Sequence, residues 1–181
     1  MPLMAALAAG AAAVYGWGRA VAAAAVEAII YNVYDWNPKA AQILDNPSPT
    51  ASDRFSRDHG NDISHDNNTI IAGVWDDDDN GSASGSGYVF TKSNGVWSKV
   101  AKLTASDGAA NDRLFYAARI SGDGSTVVAG AWGDDNYKGG AYVYSKPGGG
   151  WADATQTQKL VGSDMGASRY DFGTAVGISE D

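Results

Sequence analysis

The run Asp76, Asp78, Asn80 and Gly81 has the spacing Asp-x-Asp-x-Asn-Gly, the clearest hint of chemistry in this sequence. Alternating oxygen-bearing side chains converge on a hard cation, and glycine permits the sharp turn they need. The run is therefore a candidate Ca²⁺ loop. The twelfth position from Asp76 is Gly87, so the distal carboxylate of a helix–loop–helix calcium site is missing. A second acidic turn, Asp134-Asp135-Asn136, offers Asp134 and Asn136 as weaker candidate donors, with Lys138 intruding. The competing reading is a pair of solvated acidic turns.

Other chemistries lack their residues. There is no cysteine, which excludes disulfides, thiolate nucleophiles and Cys-type metal sites, and the two histidines, His59 and His65, cannot make a three-His zinc centre. Both lie in a polar stretch and read as surface side chains. No Gly-x-Ser-x-Gly elbow, Walker loop or dinucleotide fingerprint occurs. Asp residues are too numerous for any carboxylate pair to be informative. The expectation is a non-catalytic protein. A formal charge of -8 argues against a nucleic-acid partner, because phosphate binding needs a surplus of Lys and Arg.

The charge is unevenly placed. Residues 1–50 carry only Arg19, Lys39, Glu27, Asp35 and Asp45, a net -1, and the remaining -7 belongs to residues 51–181. From Leu3 to Tyr34 alanine dominates, and only Arg19, Glu27 and Asn32 are strongly polar. Such a segment favours a helix, and a continuous one would be about 45 Å long against a hydrocarbon core of about 30 Å. Residues 1–36 are thus expected to form a transmembrane helix, with Tyr31, Tyr34 and Trp36 at the interface. An Ala-rich soluble helix packed on a partner is the alternative. Arg19 and Glu27 are the odd polar positions. Either the arginine snorkels to the interface, or these side chains contact a pigment or lipid head group in a larger complex. Residues 37–52, with Pro47 and Pro49, read as a linker.

Residues 53–181 repeat. Ile63 to Trp75 aligns without a gap on Ile120 to Trp132, an offset of 57 residues. Gly87-Tyr88-Val89-Phe90 then matches Ala141-Tyr142-Val143-Tyr144 after a three-residue shortening of the preceding loop. Trp97 matches Trp151, and Lys102-Leu103 matches Lys159-Leu160. The copies are 53–111 and 112–170, with a partial third at 171–181. Each reads as four short strands joined by Gly- and Asn-bearing turns, the pattern of a propeller blade. Trp75 and Trp132 end equivalent strands and read as blade packing.

These elements resemble FG-GAP repeats, the blades of integrin-type β-propellers. Asp171-Phe172-Gly173 carries the Phe-Gly element, and Val128-Ala129-Gly130-Ala131 the Gly-Ala element. Leu114-Phe115 and Phe55-Ser56 stand where Phe-Gly is expected in the earlier copies. The resemblance implies a mainly β fold of about two blades, and Ca²⁺ at some loops. Two blades and a start do not close a propeller, so either more chain or a partner is expected to cover the open faces. The expected role is a membrane-anchored interaction or scaffold protein, single-pass, with its blades on the non-cytoplasmic side. The alternative is an accessory subunit of a large photosynthetic or respiratory membrane complex, with integral membrane proteins as partners. A hydrolase on a propeller scaffold is a distant third.

Overall fold

The computed structural model describes residues 13–15, 19–23, 41–47, 53–56, 59–163 and 170–179. Among the described residues there are three sheets. The first is antiparallel, with β1 (Ala13–Tyr15), β2 (Arg19–Ala23) and β3 (Ala41–Asp45) in that order. The second contains β4 (Asn61–Ile63), β5 (Thr69–Val74), β6 (Ser86–Ser93) and β7 (Val96–Thr104) as an antiparallel meander. The third is built from β8 (Leu114–Ile120), β9 (Thr126–Ala131), β10 (Gly140–Ser145) and β12 (Gln158–Leu160), again antiparallel. A tight turn at Asp134–Tyr137, with Asp135, Asn136 and Tyr137 all at positive φ, precedes β10. The short β11 (Ala154–Thr155) leaves its own blade and adds, parallel, to β7.

Each repeat is therefore a four-stranded blade, as its sequence predicts. The turns follow from local chemistry. Asn94 and Gly95 both have positive φ (51° and 81°), the two-residue hairpin geometry that Asn-Gly adopts most readily. The strand runs Ile70-Ile71-Ala72-Gly73-Val74 and Val127-Val128-Ala129-Gly130-Ala131 occupy the interior strands β5 and β9.

Among the described residues two cores hold the blades. One lies between them: Ile71, Val89 and Leu103 of the first blade meet Phe115, Ala129 and Tyr144 of the second. The other lies on the far face of the first blade, where Leu44 of β3 and Phe55 cover Ile70, Val74 and Trp97. Burial of each large apolar side chain stabilises by about 1.5–3 kcal/mol. Gln42 adds a directional element to this cover. Its amide accepts from Trp97 N at 2.7 Å and donates to Trp97 O at 2.6 Å, mimicking a strand partner for β7.

The N-terminal segment departs from expectation. A continuous helix over residues 3–34 is not what the described part contains, since Ala13–Tyr15 and Arg19–Ala23 are strands. Alanine favours helix locally, but Val14, Tyr15 and Val21 suit a pleated strand, and β2 is laddered on both sides, to β1 and to β3. Among the described residues no helix is long and apolar enough to cross a membrane. The segment expected to be a linker also carries a strand, β3, at Ala41–Asp45. Arg19 sits in β2 opposite Asp45 in register, and Glu27 lies outside the described residues.

Candidate functional site: lysine cradles and the acidic loops

The acidic loops are shaped by two lysines that occupy equivalent places. Lys102 on β7 stands opposite Tyr88 on β6, and Lys159 on β12 stands opposite Tyr142 on β10. Each ammonium lies over its tyrosine ring, at 5.3 Å and 5.1 Å from the centroids. Lys102 Nζ donates to Asp77 Oδ2 at 3.0 Å and also to Asp79. Lys159 Nζ donates to Asp107 Oδ2 and forms an ion pair with Asp134 Oδ2, both at 2.7 Å. Asp77 and Asp134 are aligned positions and both are buried. The second carboxylate differs. In the first blade it comes from the same loop, whereas in the second it comes from Asp107, in the segment that joins the blades. The position aligned with Asp79 is Asn136, so the sequence change is matched by a substitute anion from the neighbouring blade.

Burial opposes the charge on Lys102, but hydrogen bonds to Asp79, Asp77 and Tyr88 outweigh it and hold its pKa above the ordinary value. Lys159 behaves the same way through Asp107, Asp134 and Tyr142. Both are protonated at neutral pH, so neither offers a lone pair for nucleophilic or base chemistry. Burial raises the Tyr142 phenol, which the Lys159 ammonium opposes and the Asp134 charge reinforces. The work of these groups is to fix a loop.

The expected cation donors are distributed among other partners. Asp76 Oδ1 accepts from Arg54 N at 2.7 Å, and its Oδ2 lies 3.5 Å from the Arg54 guanidinium. Burial nevertheless pushes the Asp76 pKa up. Asp78 Oδ1 accepts from Ala83 N at 2.7 Å, and Asn80 N donates to Ser84 Oγ at 3.2 Å. Asp134 belongs to the Lys159 cradle, while Asn136 is exposed at φ 57°. Among the described residues no group of three or more His, Cys, Asp or Glu side chains could hold a metal ion. His59 and His65 are both exposed.

On the blade seam, Trp75 and Trp132 take part in packing. Arg113 lies between them, its guanidinium 5.7 Å from the Trp75 ring and 4.3 Å from the Trp132 ring. Tyr116 meets both indoles edge-on, at 6.2 Å and 5.9 Å. Such cation–π and edge contacts contribute about 0.5–1.5 kcal/mol each.

The cradle lysines carried a signal in the sequence, since Lys102-Leu103 and Lys159-Leu160 recur in the repeat. Their link to the acidic loops emerges only when strand register places each beside its tyrosine.

The opening of each blade is also repeated. Phe55-Ser56, Leu114-Phe115 and Phe172-Gly173 each place a positive φ on the second residue, at 56°, 66° and 88°. Leu114 N donates to Ser84 O at 3.0 Å, and Phe172 N donates to Lys138 O at 3.1 Å, in the aligned place. The glycines beneath are aligned as well. A Cβ on Gly85 would lie 2.2 Å from Leu114 O, and one on Gly139 would lie 2.0 Å from Phe172 O. One seat therefore receives the first residues of the next blade, whichever side chains those carry.

No curated protein gives a significant match to the chain. Residues 49–90 and 97–144 match the family model described as FG-GAP repeat. With the repeated blade openings above, that match identifies residues 49–90 and 97–144 as FG-GAP repeats.

Proposed function

We propose that the FG-GAP blades are a non-catalytic interaction platform. The observation that carries this reading is the use of charge. The two cradle lysines are each bound to two carboxylates in support of loop shape, while Asp78 and Asp135 of the same loops stay exposed. Rigid loops with exposed carboxylates suit recognition of a cationic or hydrogen-bond-donating protein surface. The full chain should co-purify with partner proteins from a mild-detergent extract, and Asp78→Lys with Asp135→Lys should lose them. Equal recovery of the same partners by the double variant would count against the platform.

The finer reading attaches this platform to a membrane through residues 1–36, with the blades on the non-cytoplasmic side. Its support is composition: Leu3 to Tyr34 is apolar apart from a few positions, and the acidic charge lies beyond it. The strands at Ala13–Tyr15 and Arg19–Ala23 favour attachment through packing among partner proteins, as in an accessory subunit, over a single uninterrupted span. Retention of the full chain in washed membranes supports attachment, and full release by detergent-free buffer removes it. Ca²⁺ at Asp76, Asp78 and Asn80 requires Arg54 to release Asp76. Calorimetry of the full chain with millimolar Ca²⁺ tests it: binding heat abolished by Asp78→Ala supports the site, and no heat removes it.

A further inference from the structure

Arg113 repeats an arginine that the first blade already pairs. Arg54 precedes Phe55 at the opening of the first blade, as Arg113 precedes Leu114 at the opening of the second. Each guanidinium lies over the indole that follows the second strand of its own blade, Arg54 at 4.9 Å from Trp75 and Arg113 at 4.3 Å from Trp132. In the first blade a carboxylate completes the arrangement. Asp76, directly after Trp75, accepts from Arg54 N at 2.7 Å and sets its Oδ2 3.5 Å from the guanidinium.

The second blade lacks that carboxylate. The residue after Trp132 is Gly133, and a Cβ there would lie 1.9 Å from Asn111 O, so no side chain fits. The Arg113 amide donates instead to Ala83 O of the first blade, at 3.0 Å. Its guanidinium has no such substitute. Among the described residues it makes no hydrogen bond or ion pair, and its Nε is buried without an acceptor. Lys159 shows the contrast: where Asp79 gives way to Asn136, Asp107 supplies the missing anion. For Arg113, in a chain with 21 acidic residues, none of the described carboxylates does so.

The arginine is nevertheless held with care. Arg113 sits at φ 57°, a left-handed conformation that an L residue keeps only when its surroundings impose it. The Trp75 ring stands 5.7 Å from the same guanidinium, and Tyr116 braces both indoles edge-on. Arg113, Trp75, Trp132 and Tyr116 are all half-buried, so the place is open to solvent. A planar fork already fixed by its rings suits an acceptor with two coplanar oxygens. Asp76 shows which acceptor belongs there: a carboxylate.

We propose that Arg113, framed by Trp75 and Trp132, is the receptor for an Asp or Glu side chain of a partner protein. The incoming carboxylate takes the role that Asp76 has in the first blade, and the indoles contact the chain that carries it. The site goes beyond the platform reading, whose exposed groups, Asp78 and Asp135, have the opposite sign. It stands or falls without them.

The test follows the Arg113 Nε–Hε resonance of the full chain at low salt, assigned through its own backbone amide. The probes are acetyl-Gly-Glu-Gly-Glu-Gly-amide, the same peptide with both glutamates replaced by glutamine, and sodium acetate. The glutamate peptide should move the signal saturably, with a Kd of about 1 mM or below. The Arg54 signal should move little, because Asp76 already holds it. Acetate should need at least about tenfold more carboxylate for the same displacement, since it brings no chain to the indoles. Arg113→Lys keeps the charge but loses the fork, and should weaken the glutamate peptide at least about tenfold in calorimetry with an unchanged circular dichroism spectrum. If that variant does not fold, the spectra of the parent decide alone. No saturable movement with the glutamate peptide overturns the proposal, and so does equal movement with the glutamine peptide. Acetate matching the peptide per carboxylate also overturns it, because the site would then read a free anion and not a partner protein.

Discussion

Lys159 binds Asp107 at 2.7 Å, joining the outer strand of the second blade to a loop 52 residues earlier that leaves the first. In the first blade the equivalent lysine, Lys102, finds both of its carboxylates, Asp77 and Asp79, within one loop. The same cradle is thus local in one blade and crosses the boundary in the other, so the two lysines have different mutational consequences.

Lys159→Met should lower stability by about 1–2 kcal/mol, a figure reduced for partial exposure because Asp107 is 44% exposed and Lys159 25% exposed. It leaves buried Asp134 without its cation and unties the blades. Urea unfolding should therefore lose cooperativity as well as midpoint. Lys102→Met should lower the midpoint and leave cooperativity intact. Equal behaviour of the two variants would contradict the difference between the cradles.

Ser56 is held at φ 56° with its Oγ buried and without a hydrogen-bond partner among the described residues. Ser56→Gly relieves both costs and should stabilise by about 1 kcal/mol in denaturant unfolding. Phe115 has the same backbone conformation at 66° but is 0% exposed. Phe115→Gly should therefore destabilise by about 3 kcal/mol or more, since loss of a buried ring exceeds the backbone gain. Destabilisation by Ser56→Gly would refute the strain assigned there.

Gly73 and Gly130 are aligned and answer different tests. A Cβ on Gly73 would lie 2.6 Å from Phe115 O, inside the packed blade boundary, and one on Gly130 would lie 1.8 Å from Gly173 O. Gly73→Ala should cost about 2–3 kcal/mol of global stability. Gly130→Ala should release residues 170–179 to limited proteolysis and change the global midpoint by under about 1 kcal/mol. Comparable global losses in both would show that the tail is integral to the two-blade fold.

The blades were legible because their elements recur in order. Strand positions, the Asn94-Gly95 hairpin and the seats of Phe55-Ser56 and Leu114-Phe115 follow from alignment of the copies. The loss of the Phe-Gly spelling misleads only mildly, since the seat requires a positive φ more than it requires glycine. The Asp107 contact was not legible, because it replaces a residue of another loop and depends on how the blades meet. β11 was not legible either: Ala154-Thr155 is too short to show a period, and its partner lies in the other blade. At the N-terminus, alanine content suggested a helix, while the ladder of Arg19–Ala23 on Ala41–Asp45 is a pairing that local propensity does not encode. The Asp-x-Asp-x-Asn-Gly spacing suggests donors facing one cation, and it does not disclose Arg54 and the Ala83 amide, which engage Asp76 and Asp78 from outside the run.

Acid should weaken the turn before β9. Hydrogen bonds from Ser121 and then Ser125 bring the Asp123 pKa from 3.8 to about 2. A group with a lowered folded pKa contributes stability above its unfolded value, and that contribution disappears as pH falls from about 4 to about 2. Asp76, raised by burial, runs the other way and is relieved by protonation. Asp123→Asn keeps an accepting oxygen while removing the titration. Its melting temperature should fall less steeply than that of the parent between pH 4 and pH 2. Parallel curves would contradict the assignment.

Native mass tests the interaction-platform account most directly. The chain has a mass of 18.7 kDa. Light scattering on the protein purified from its natural source in mild detergent should give a protein mass well above this value, with other polypeptides present in fixed ratio. A particle of 18.7 kDa containing only this chain would contradict the account.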